Sequence, residues 1–283
     1  MKKLVILGAG RMGLAAAELL NASSYELAAF ADNNSELHGA RLFGAPVLPV
    51  EQALALMPDM LLVGVLDGER SAQLTEQARE LGYKGVIRYL GGASELYDAR
   101  AASVRRLAKR IKERGIKGDI AELGVYKGDF AAELNALFPD RTLWLFDTFE
   151  GFDKRDAALD FERGYSRAAA GDFADTSAEA VLARLPNPER AIIRKGFFPD
   201  TAEGVEAGFA FVSLDADLYA PTLAGLRFFW PRLERGGALL LHDWGGGRFS
   251  GVREALARFE SESGALPLVP LCDLHGSCVA VKG

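Results

Sequence analysis

The chain has 283 residues, of which 49% are hydrophobic and 25% are charged, and its formal net charge at pH 7 is -6. This length is comfortable for two domains, because single hydrophobic cores seldom grow past about 250 to 300 residues. An acidic chain with a sequence pI of about 5.3 lacks the basic surface needed for non-specific binding to nucleic acid or to an anionic membrane. Small molecules are therefore the expected partners.

The chain shows no sign of membrane insertion or export. It has no stretch of about twenty apolar residues to span a bilayer, and glycines and Arg11 interrupt its apolar start before a signal-peptide core is complete. We therefore expect a cytoplasmic protein. Cys272 and Cys278 flank a predicted turn, and we expect two reduced, half-buried thiols there. A disulfide or a metal pair are the alternatives.

The first ninety residues alternate predicted strands and helices. Their pattern predicts strands at residues 4–7, 26–30, 60–65 and 85–89, with mostly helical segments between them. Such an alternation implies a small parallel sheet. We place this domain at residues 1–92.

A glycine turn follows the first of these strands and opens a helix. It contains Gly8, Gly10 and Gly13, and Asp32 ends the second strand. This spacing is typical of dinucleotide-binding turns. Three roles stay open: binding of a nucleotide or nucleotide sugar, NAD-dependent catalysis, and a scaffold or dimerisation role. No domain with an acid or base for hydride transfer follows the turn.

Residues 97–114 form a predicted basic amphipathic helix. Its apolar stripe consists of Leu96, Ala101, Val104, Leu107, Ala108 and Ile111. We expect a solvated leading helix that covers the second sheet. A helix that binds a membrane surface or nucleic acid is the alternative.

A second glycine turn follows the next predicted strand. The carboxylate of Glu122 precedes a turn from Gly124 to Gly128, where a ligand can approach the backbone at a helix N-terminus. The following strand ends in Asp147, about twenty residues after the turn, where such folds bind ribose hydroxyls. This arrangement is typical of a nucleotide site.

Four polar residues follow two later apolar strands, which we predict at residues 209–214 and 238–241. If these strands are neighbours, the side chains of Asp215, Asp217, His242 and Asp243 converge at the carboxyl edge of the sheet. Carboxylates there suit a hard cation such as Mg²⁺. We expect Asp217 to cap the next helix instead of binding a metal.

His242 leaves two interpretations open. It can ligate a metal together with Asp215 and Asp243, although imidazole suits Mn²⁺ better than Mg²⁺. It can also act as the general base, a role for which Asp215 is the other candidate. The glycines at 245–247 are interpreted as room for a bulky acceptor or as a flexible joint. His38 and His275 lie in predicted loops, and we expect them at the surface.

From about residue 105 to the end, the chain resembles class I S-adenosylmethionine-dependent methyltransferases, and more narrowly the macrocin O-methyltransferase family. The resemblance rests on an ordered series of stretches that spans roughly 180 residues. They are residues 121–128, 146–152, 175–177, 196–201, 215–219 with Pro221 and Thr222, and 235–237 leading to 242–244. The histidine at 242 departs from the family, which commonly has two adjacent acids there.

The resemblance implies a fold and a cofactor site. The fold is α/β with two doubly wound domains: a small Rossmann-like module, then a methyltransferase sheet at residues 93–283 that ends in an antiparallel hairpin of residues 266–271 and 278–282. The cofactor is S-adenosyl-L-methionine. Its implied site has Glu122, Gly124, Val125 and Gly128 on the methionine and ribose side, Asp147 on the ribose hydroxyls, and Gly196 and Phe197 beside the adenine.

The predicted function is O-methylation of a hydroxyl on a sugar or other small hydroxylated metabolite, assisted by Mg²⁺ or Mn²⁺. Residues 152–175 are predicted to form a mobile lid over the acceptor. The alternatives are an NAD(P)-binding oxidoreductase that uses the first glycine turn, and a non-catalytic nucleotide-binding or assembly protein. We expect a small-molecule acceptor, no nucleic-acid or membrane partner, and a homo-oligomer as an open option.

Overall fold

The structure is a computed structural model that describes residues 1–96 and 98–283. The chain divides into two compact units, Met1–Asp98 and Ala99–Gly283. The boundary predicted at residue 92 stays a prediction. No helix among the described residues is long and apolar enough to cross a membrane.

The first unit is an α/β sheet domain. Its strands are β1 (Lys2–Leu7), β2 (Tyr25–Ala31), β3 (Arg41–Leu42), β4 (Ala45–Leu48), β5 (Met60–Val63) and β6 (Val86–Tyr89). Its helices are α1 (Arg11–Glu18), α2 (Val50–Leu54), α3 (Gly68–Glu80) and α4 (Leu90–Leu96). The four predicted strands are present, whereas the short hairpin of β3 and β4 was not predicted.

The strand order of this sheet is β3-β4-β2-β1-β5-β6. All pairs are parallel except the edge hairpin of β3 and β4. The central strand β1 has four consecutive buried residues at its carboxyl half. Such a run is typical of a parallel strand covered by helices on both faces.

The second unit is a larger α/β domain. Its strands are β7 (Asp119–Leu123), β8 (Leu143–Asp147), β9 (Ala191–Lys195), β10 (Phe209–Leu214), β11 (Leu233–Leu241), β12 (Leu268–Pro270) and β13 (Cys278–Val281). Its helices are α5 (Ala99–Glu113), α6 (Asp129–Leu137), α7 (Lys154–Glu162), α8 (Ala178–Leu182), α9 (Tyr219–Arg232) and α10 (Gly251–Ser263).

The strand order of the second sheet is β12-β13-β11-β10-β7-β8-β9. Strands β7 to β11 are parallel, and β13 runs antiparallel to both β11 and β12. The doubly wound α/β fold and its terminal antiparallel hairpin are therefore confirmed. The order reverses between β7 and β10, and ligands bind at such a switch point, outside the carboxyl ends of the strands.

Helix α5 is the predicted leading helix. It begins at Ala99, and Tyr97, the predicted first residue, lies outside the described residues. Its buried residues are Ala101, Val104, Ala108 and Ile111, with Leu107 partly buried, and they pack in a core that includes residues of β7 and β8. The predicted stripe along this helix is thus confirmed at these positions.

The two cysteines are free, but they are not alike. Cys272 is exposed and Cys278 in β13 is buried, so the prediction that both are half-buried was wrong. Burial raises the pKa of the Cys278 thiol to about 12. Cys278 therefore stays protonated and behaves as a small core residue.

Candidate active site

Backbone hydrogen bonds join the ends of four neighbouring strands in the second unit. The amide of Gly124 donates to the carbonyl of Phe146, the amide of Asp215 to Leu123, and the amide of His242 to Leu214, at 3.0, 2.8 and 2.9 Å. Since β8, β7, β10 and β11 are adjacent and parallel, their following residues share one edge of the sheet. The predicted nucleotide turn and the predicted catalytic residues lie at that edge.

Gly124 and Gly128 are the residues of the second glycine turn that the backbone requires. Both have a positive φ, of 87° and 78°, which only glycine adopts readily. A Cβ atom on Gly124 would lie 2.0 Å from the carbonyl oxygen of Asp215. The absence of a side chain at 124 therefore lets the glycine turn pack directly against the end of β10.

Asp147 ends β8 and holds the glycine turn from the side. Its Oδ2 accepts the amides of Val125 and Tyr126 at 2.7 and 3.0 Å, and its Oδ1 accepts the amide of Phe149 at 2.7 Å. Each carboxylate oxygen can accept about two hydrogen bonds, so Oδ1 keeps capacity for a ribose hydroxyl. The predicted ribose contact is not tested by this geometry and stays a prediction.

The predicted adenine neighbours lie beside Asp147. The amide of Gly196 donates to the carbonyl of Asp147 at 2.9 Å. The guanidinium of Arg155 lies 3.7 Å from the ring centre of Phe197. Arg155 therefore covers one face of this ring, and a stacked adenine has to use the other face or displace it.

Glu122 is a buried acid in β7, with 1% of its surface exposed. Among the described residues, none hydrogen-bonds its Oε2 atom. Burial, followed by the negative charge of Asp215, raises the pKa of Glu122 well above its usual range. A cation bound nearby would favour the ionised form.

Asp215, Asp217, His242 and Asp243 form one cluster, in which a ligand atom of each lies within 4.8 Å of the others. The Nδ1 atom of His242 lies 2.7 Å from Oδ1 of Asp215 and 3.3 Å from Oδ2 of Asp243. The convergence expected from adjacent strands is therefore present. Whether these residues catalyse or bind metal is not tested by position alone.

The charges in this cluster strongly perturb its pKa values. Burial lowers the pKa of His242, but Asp215 and Asp243 outweigh it and raise this pKa to about 10. Burial raises the pKa of Asp215, but His242 and then Arg100 outweigh it and lower this pKa to about 2. At neutral pH this arrangement holds an imidazolium against an ionised carboxylate.

The prediction that Asp217 caps the next helix was wrong. Asp217 has a positive φ of 59°, and the N-cap position of α9 is Leu218, without a side-chain cap. The buried Asp160 of α7 accepts the Tyr219 amide at 3.0 Å instead. Burial, then Asp215 and Asp243, raise the pKa of Asp217 well above its usual range.

The expectation that His275 lies at the surface was incomplete, because its ring packs against another site residue. It lies half-buried in the loop before β13, and its ring centre lies 5.2 Å from that of His242. It can join His242 and Asp243 as a third ligand atom. His38 is half-buried as well, with Nε2 2.7 Å from the carbonyl oxygen of Asp32.

The loop of His275 also explains part of the glycine run at 245–247. Gly245 donates to the carbonyl of Gly276 at 2.6 Å, and a Cβ atom on Gly276 would lie 2.7 Å from the Cα of Gly245. The two loops therefore touch through their backbones. Gly245 serves this close approach, a reason the sequence analysis did not consider.

Arg100 is a site residue that the sequence analysis missed. Its Nη1 lies 2.9 Å from Oδ2 of Asp215, and its guanidinium lies 4.3 Å from the ring centre of Phe130. The only sequence signal was its place in a basic helix, which is more typical of a solvated face. Its partner lies 115 positions away, so no local pattern pairs them.

The sequence model of the Macrocin-O-methyltransferase (TylF) family matches residues 70–281. The chain belongs to the macrocin O-methyltransferase family. It is therefore an enzyme, an S-adenosyl-L-methionine-dependent O-methyltransferase. This membership favours methyl transfer over the oxidoreductase and the non-catalytic alternatives.

Two relatives and two solved structures illustrate the similarity. The mycinamicin III 3''-O-methyltransferase of Micromonospora griseorubida is 26% identical over 220 residues, 72% of this chain and 84% of that protein. The 8-demethyl-8-(2,3-dimethoxy-alpha-L-rhamnosyl)-tetracenomycin-C 4'-O-methyltransferase of Streptomyces olivaceus is 27% identical over 177 residues, 58% of this chain and 66% of that protein. Two solved structures share the fold at 20% sequence identity. The O-methyltransferase NovP has a TM-score of 0.56, and the match covers 65% of this chain and 79% of NovP. The calicheamicin methyltransferase CalS11 has a TM-score of 0.54, and the match covers 83% of this chain and 91% of CalS11.

The donor atoms of this family member fit a divalent cation. Three carboxylates and an imidazole converge within 4.8 Å, and oxygen with imidazole donors suits Mn²⁺ and, less well, Mg²⁺. Burial and the negative charges of Asp215 and Asp243 raise the pKa of Asp217, and a bound divalent cation would offset this repulsion between carboxylates. His242 can ligate only after it loses its own proton.

A cavity of about 700 Å³ lies between the predicted lid and the loop after the cluster. Its lining includes Tyr165 and Arg167 on the lid side and Arg248 and Phe249 on the other. Gly246, the residue before this second wall, would place a Cβ atom 3.1 Å from Oδ1 of Asp243. Gly247 also lines the cavity, so its second wall begins four positions after Asp243 in the chain.

The glycine turn of the first unit has the same local geometry as that of the second. The carboxylate of Asp32 accepts hydrogen bonds from the amides of Ala9 and Asn34 at 2.6 and 2.8 Å. Asp147 in the second unit likewise accepts one amide of its glycine turn and the amide two residues after itself. A Cβ atom on Gly13 would lie 2.0 Å from the Gly8 carbonyl oxygen, whereas one on Gly10 would meet nothing within 4 Å. Gly13 thus serves close packing, and the predicted nucleotide contact at Gly8, Gly10, Gly13 and Asp32 stays a prediction.

Proposed function

We propose that the protein methylates a hydroxyl group of a sugar or other small hydroxylated metabolite, with a divalent cation at Asp215 and Asp243. The observation that carries this proposal is the cluster of carboxylates and His242 at the ends of β10 and β11, beside the glycine turn. Both named relatives are O-methyltransferases, and the name of the Streptomyces olivaceus relative includes a rhamnosyl group. The cavity of about 700 Å³ between the predicted lid and the loop after β11 is large enough for such an acceptor.

The chain's own residues have defined tasks in this proposal. S-adenosyl-L-methionine, when bound, supplies a sulfonium whose methyl passes to the acceptor oxygen, which leaves S-adenosylhomocysteine. Glu122, Gly124, Val125, Gly128 and Asp147 hold and orient that cofactor. Gly196 and Phe197 flank its adenine.

Deprotonation of the acceptor is the second task. A divalent cation, when bound, lowers the pKa of the acceptor hydroxyl. Asp215 or His242, whose Oδ1 and Nδ1 atoms lie 2.7 Å apart, takes the hydroxyl proton as the sulfur-to-carbon bond breaks and the carbon-to-oxygen bond forms.

Calorimetric titration of the metal-stripped protein with S-adenosylhomocysteine tests the cofactor site. We expect micromolar binding that Asp147→Ala abolishes, followed by methyl transfer to members of a sugar and glycoside panel when Mg²⁺ or Mn²⁺ is added. Binding that survives Asp147→Ala would contradict the assigned site. Full turnover after metal removal would contradict metal assistance.

A nucleotide site in the first unit is a second proposal, supported by the contact of Asp32 with the first glycine turn. Titration with NADH and with a nucleotide sugar, repeated on Asp32→Ala, tests it. Binding of neither ligand would leave a scaffold or dimerisation role. The cytoplasmic location, the absence of nucleic-acid and membrane partners, and a homo-oligomer stay predictions.

A further inference from the structure

The guanidinium of Arg100 contacts Asp215, one of the candidate metal ligands. It lies in the first turn of α5, and its side chain is 20% exposed, compared with 21% for Asp215. A helix N-terminus carries a partial positive charge, which disfavours a cation in the first turn. The ion pair with Asp215 at 2.9 Å and the stack on Phe130 at 4.3 Å therefore stabilise the guanidinium in an otherwise unfavourable place.

Both oxygens of Asp215 are engaged in this arrangement. Oδ2 faces Arg100, and Oδ1 faces Nδ1 of His242 at 2.7 Å. A divalent metal binds a carboxylate oxygen at about 2.0 to 2.6 Å. A metal on Oδ2 of Asp215 would therefore lie within about 7 Å of the guanidinium carbon of Arg100 if that side chain stayed in place.

We propose that Arg100 is a built-in competitor of the divalent cation for Asp215. This inference rests on the metal-assisted function proposed above. When no metal is bound, the guanidinium neutralises Asp215, and metal binding requires Arg100 to withdraw from Oδ2. The leading helix α5, through Arg100, thus sets the metal affinity of the site at the ends of β10 and β11.

The expected size of the effect follows from Coulomb's law. A charge of +2 and a charge of +1 at about 5 to 7 Å repel by enough to change affinity on the order of tenfold, even with the dielectric constant of water. Partial burial of both side chains makes the repulsion larger than in water. Removal of the Arg100 charge is therefore expected to tighten metal binding at least about tenfold.

The test titrates metal-stripped, full-length protein with Mn²⁺, by calorimetry and by loss of the free-Mn²⁺ signal in electron paramagnetic resonance. Arg100→Gln removes the charge, Arg100→Met also keeps apolar contact with Phe130, and Arg100→Lys keeps the charge. Arg105→Gln is the matched control, because Arg105 lies on the same helix and pairs with Glu133 at 2.6 Å.

We expect the dissociation constant for Mn²⁺ to fall at least about tenfold in Arg100→Gln and Arg100→Met. It should stay near the wild-type value in Arg100→Lys and in Arg105→Gln. Adding Asp215→Asn to Arg100→Gln should remove the gain. Unchanged or weaker Mn²⁺ binding in both neutral variants overturns the proposal, as does the absence of Mn²⁺ binding in every variant.

Titration of the same samples with S-adenosylhomocysteine separates this proposal from the proposed function. Intact cofactor binding in all Arg100 variants also shows that they are folded. If cofactor binding holds and the Mn²⁺ affinity does not respond, the competition fails while methyl transfer stands. If cofactor binding is absent from the wild type, the proposed function fails on its own readout.

Discussion

Gly124→Ala perturbs the contact between the glycine turn and the end of β10. Gly124 has a φ of 87°, and the added Cβ atom would lie 2.0 Å from the carbonyl oxygen of Asp215 and 2.6 Å from its carbonyl carbon. Ordinary van der Waals contact begins near 3.4 Å. Either the turn or the end of β10 therefore has to move by more than about 1 Å, since overpacked groups shift the backbone.

Two costs add up in this variant. The left-handed conformation costs a non-glycine residue roughly 1 to 2 kcal/mol, and overpacking typically costs roughly 1 to 3 kcal/mol. We therefore expect the free energy of unfolding to fall by roughly 2 to 5 kcal/mol. The cofactor should bind at least about tenfold more weakly, because a 1 Å misplacement alone can cost as much as a hundredfold in activity.

Gly204→Ala is the matched control. Gly204 has a φ of 73°, and a Cβ atom there would meet nothing within 4 Å. It should show only the conformational cost and normal binding of S-adenosylhomocysteine. Urea unfolding and calorimetric titration measure both quantities. Equal losses in the two variants would refute the argument that close contact of residue 124 with Asp215 shapes the site.

Three further predictions follow from individual contacts. Burial raises the pKa of Asp156 to about 6, above its unfolded value, so the native state binds more protons and the free energy of unfolding falls as pH rises from about 4 to 6. Asp156→Asn should therefore raise the free energy of unfolding at pH 7 by at most about 3 kcal/mol and leave it unchanged at pH 4. Urea titrations at both pH values measure this, and equal effects at the two pH values would contradict it. Asp175→Ala removes the carboxylate that binds the Tyr126 hydroxyl at 2.7 Å and Lys127 at 2.6 Å; we expect weaker S-adenosylhomocysteine binding with an unfolding change below about 1 kcal/mol, because the ion pair is exposed. Residues 152–175 should be cleaved by protease more slowly when S-adenosylhomocysteine is present, and equal cleavage rates would count against a ligand-ordered lid.

Much of the sheet edge could be predicted because its signals are local. The strand, turn and helix around the second glycine turn have a fixed geometry. Its positive φ values require glycine at 124 and 128, and the next strand ends in a carboxylate, Asp147. The strand at 209–214 was predicted with the bounds that β10 has. The apolar run at 209–214 did not predict which strands pair with β10 in the sheet.

The amino-acid sequence by itself determined the fold class and the position of the glycine turns, because backbone periodicity and turn chemistry act over a few residues. The family came from the resemblance of an ordered series of stretches along the chain. Only the tertiary structure decided which distant groups meet at the strand ends. Arg100 pairs with Asp215 across 115 positions, Asp160 hydrogen-bonds the Tyr219 amide in place of Asp217, and His275 packs beside His242. Such contacts depend on how helices and loops pack against the sheet, and no residue spacing along the chain encodes them.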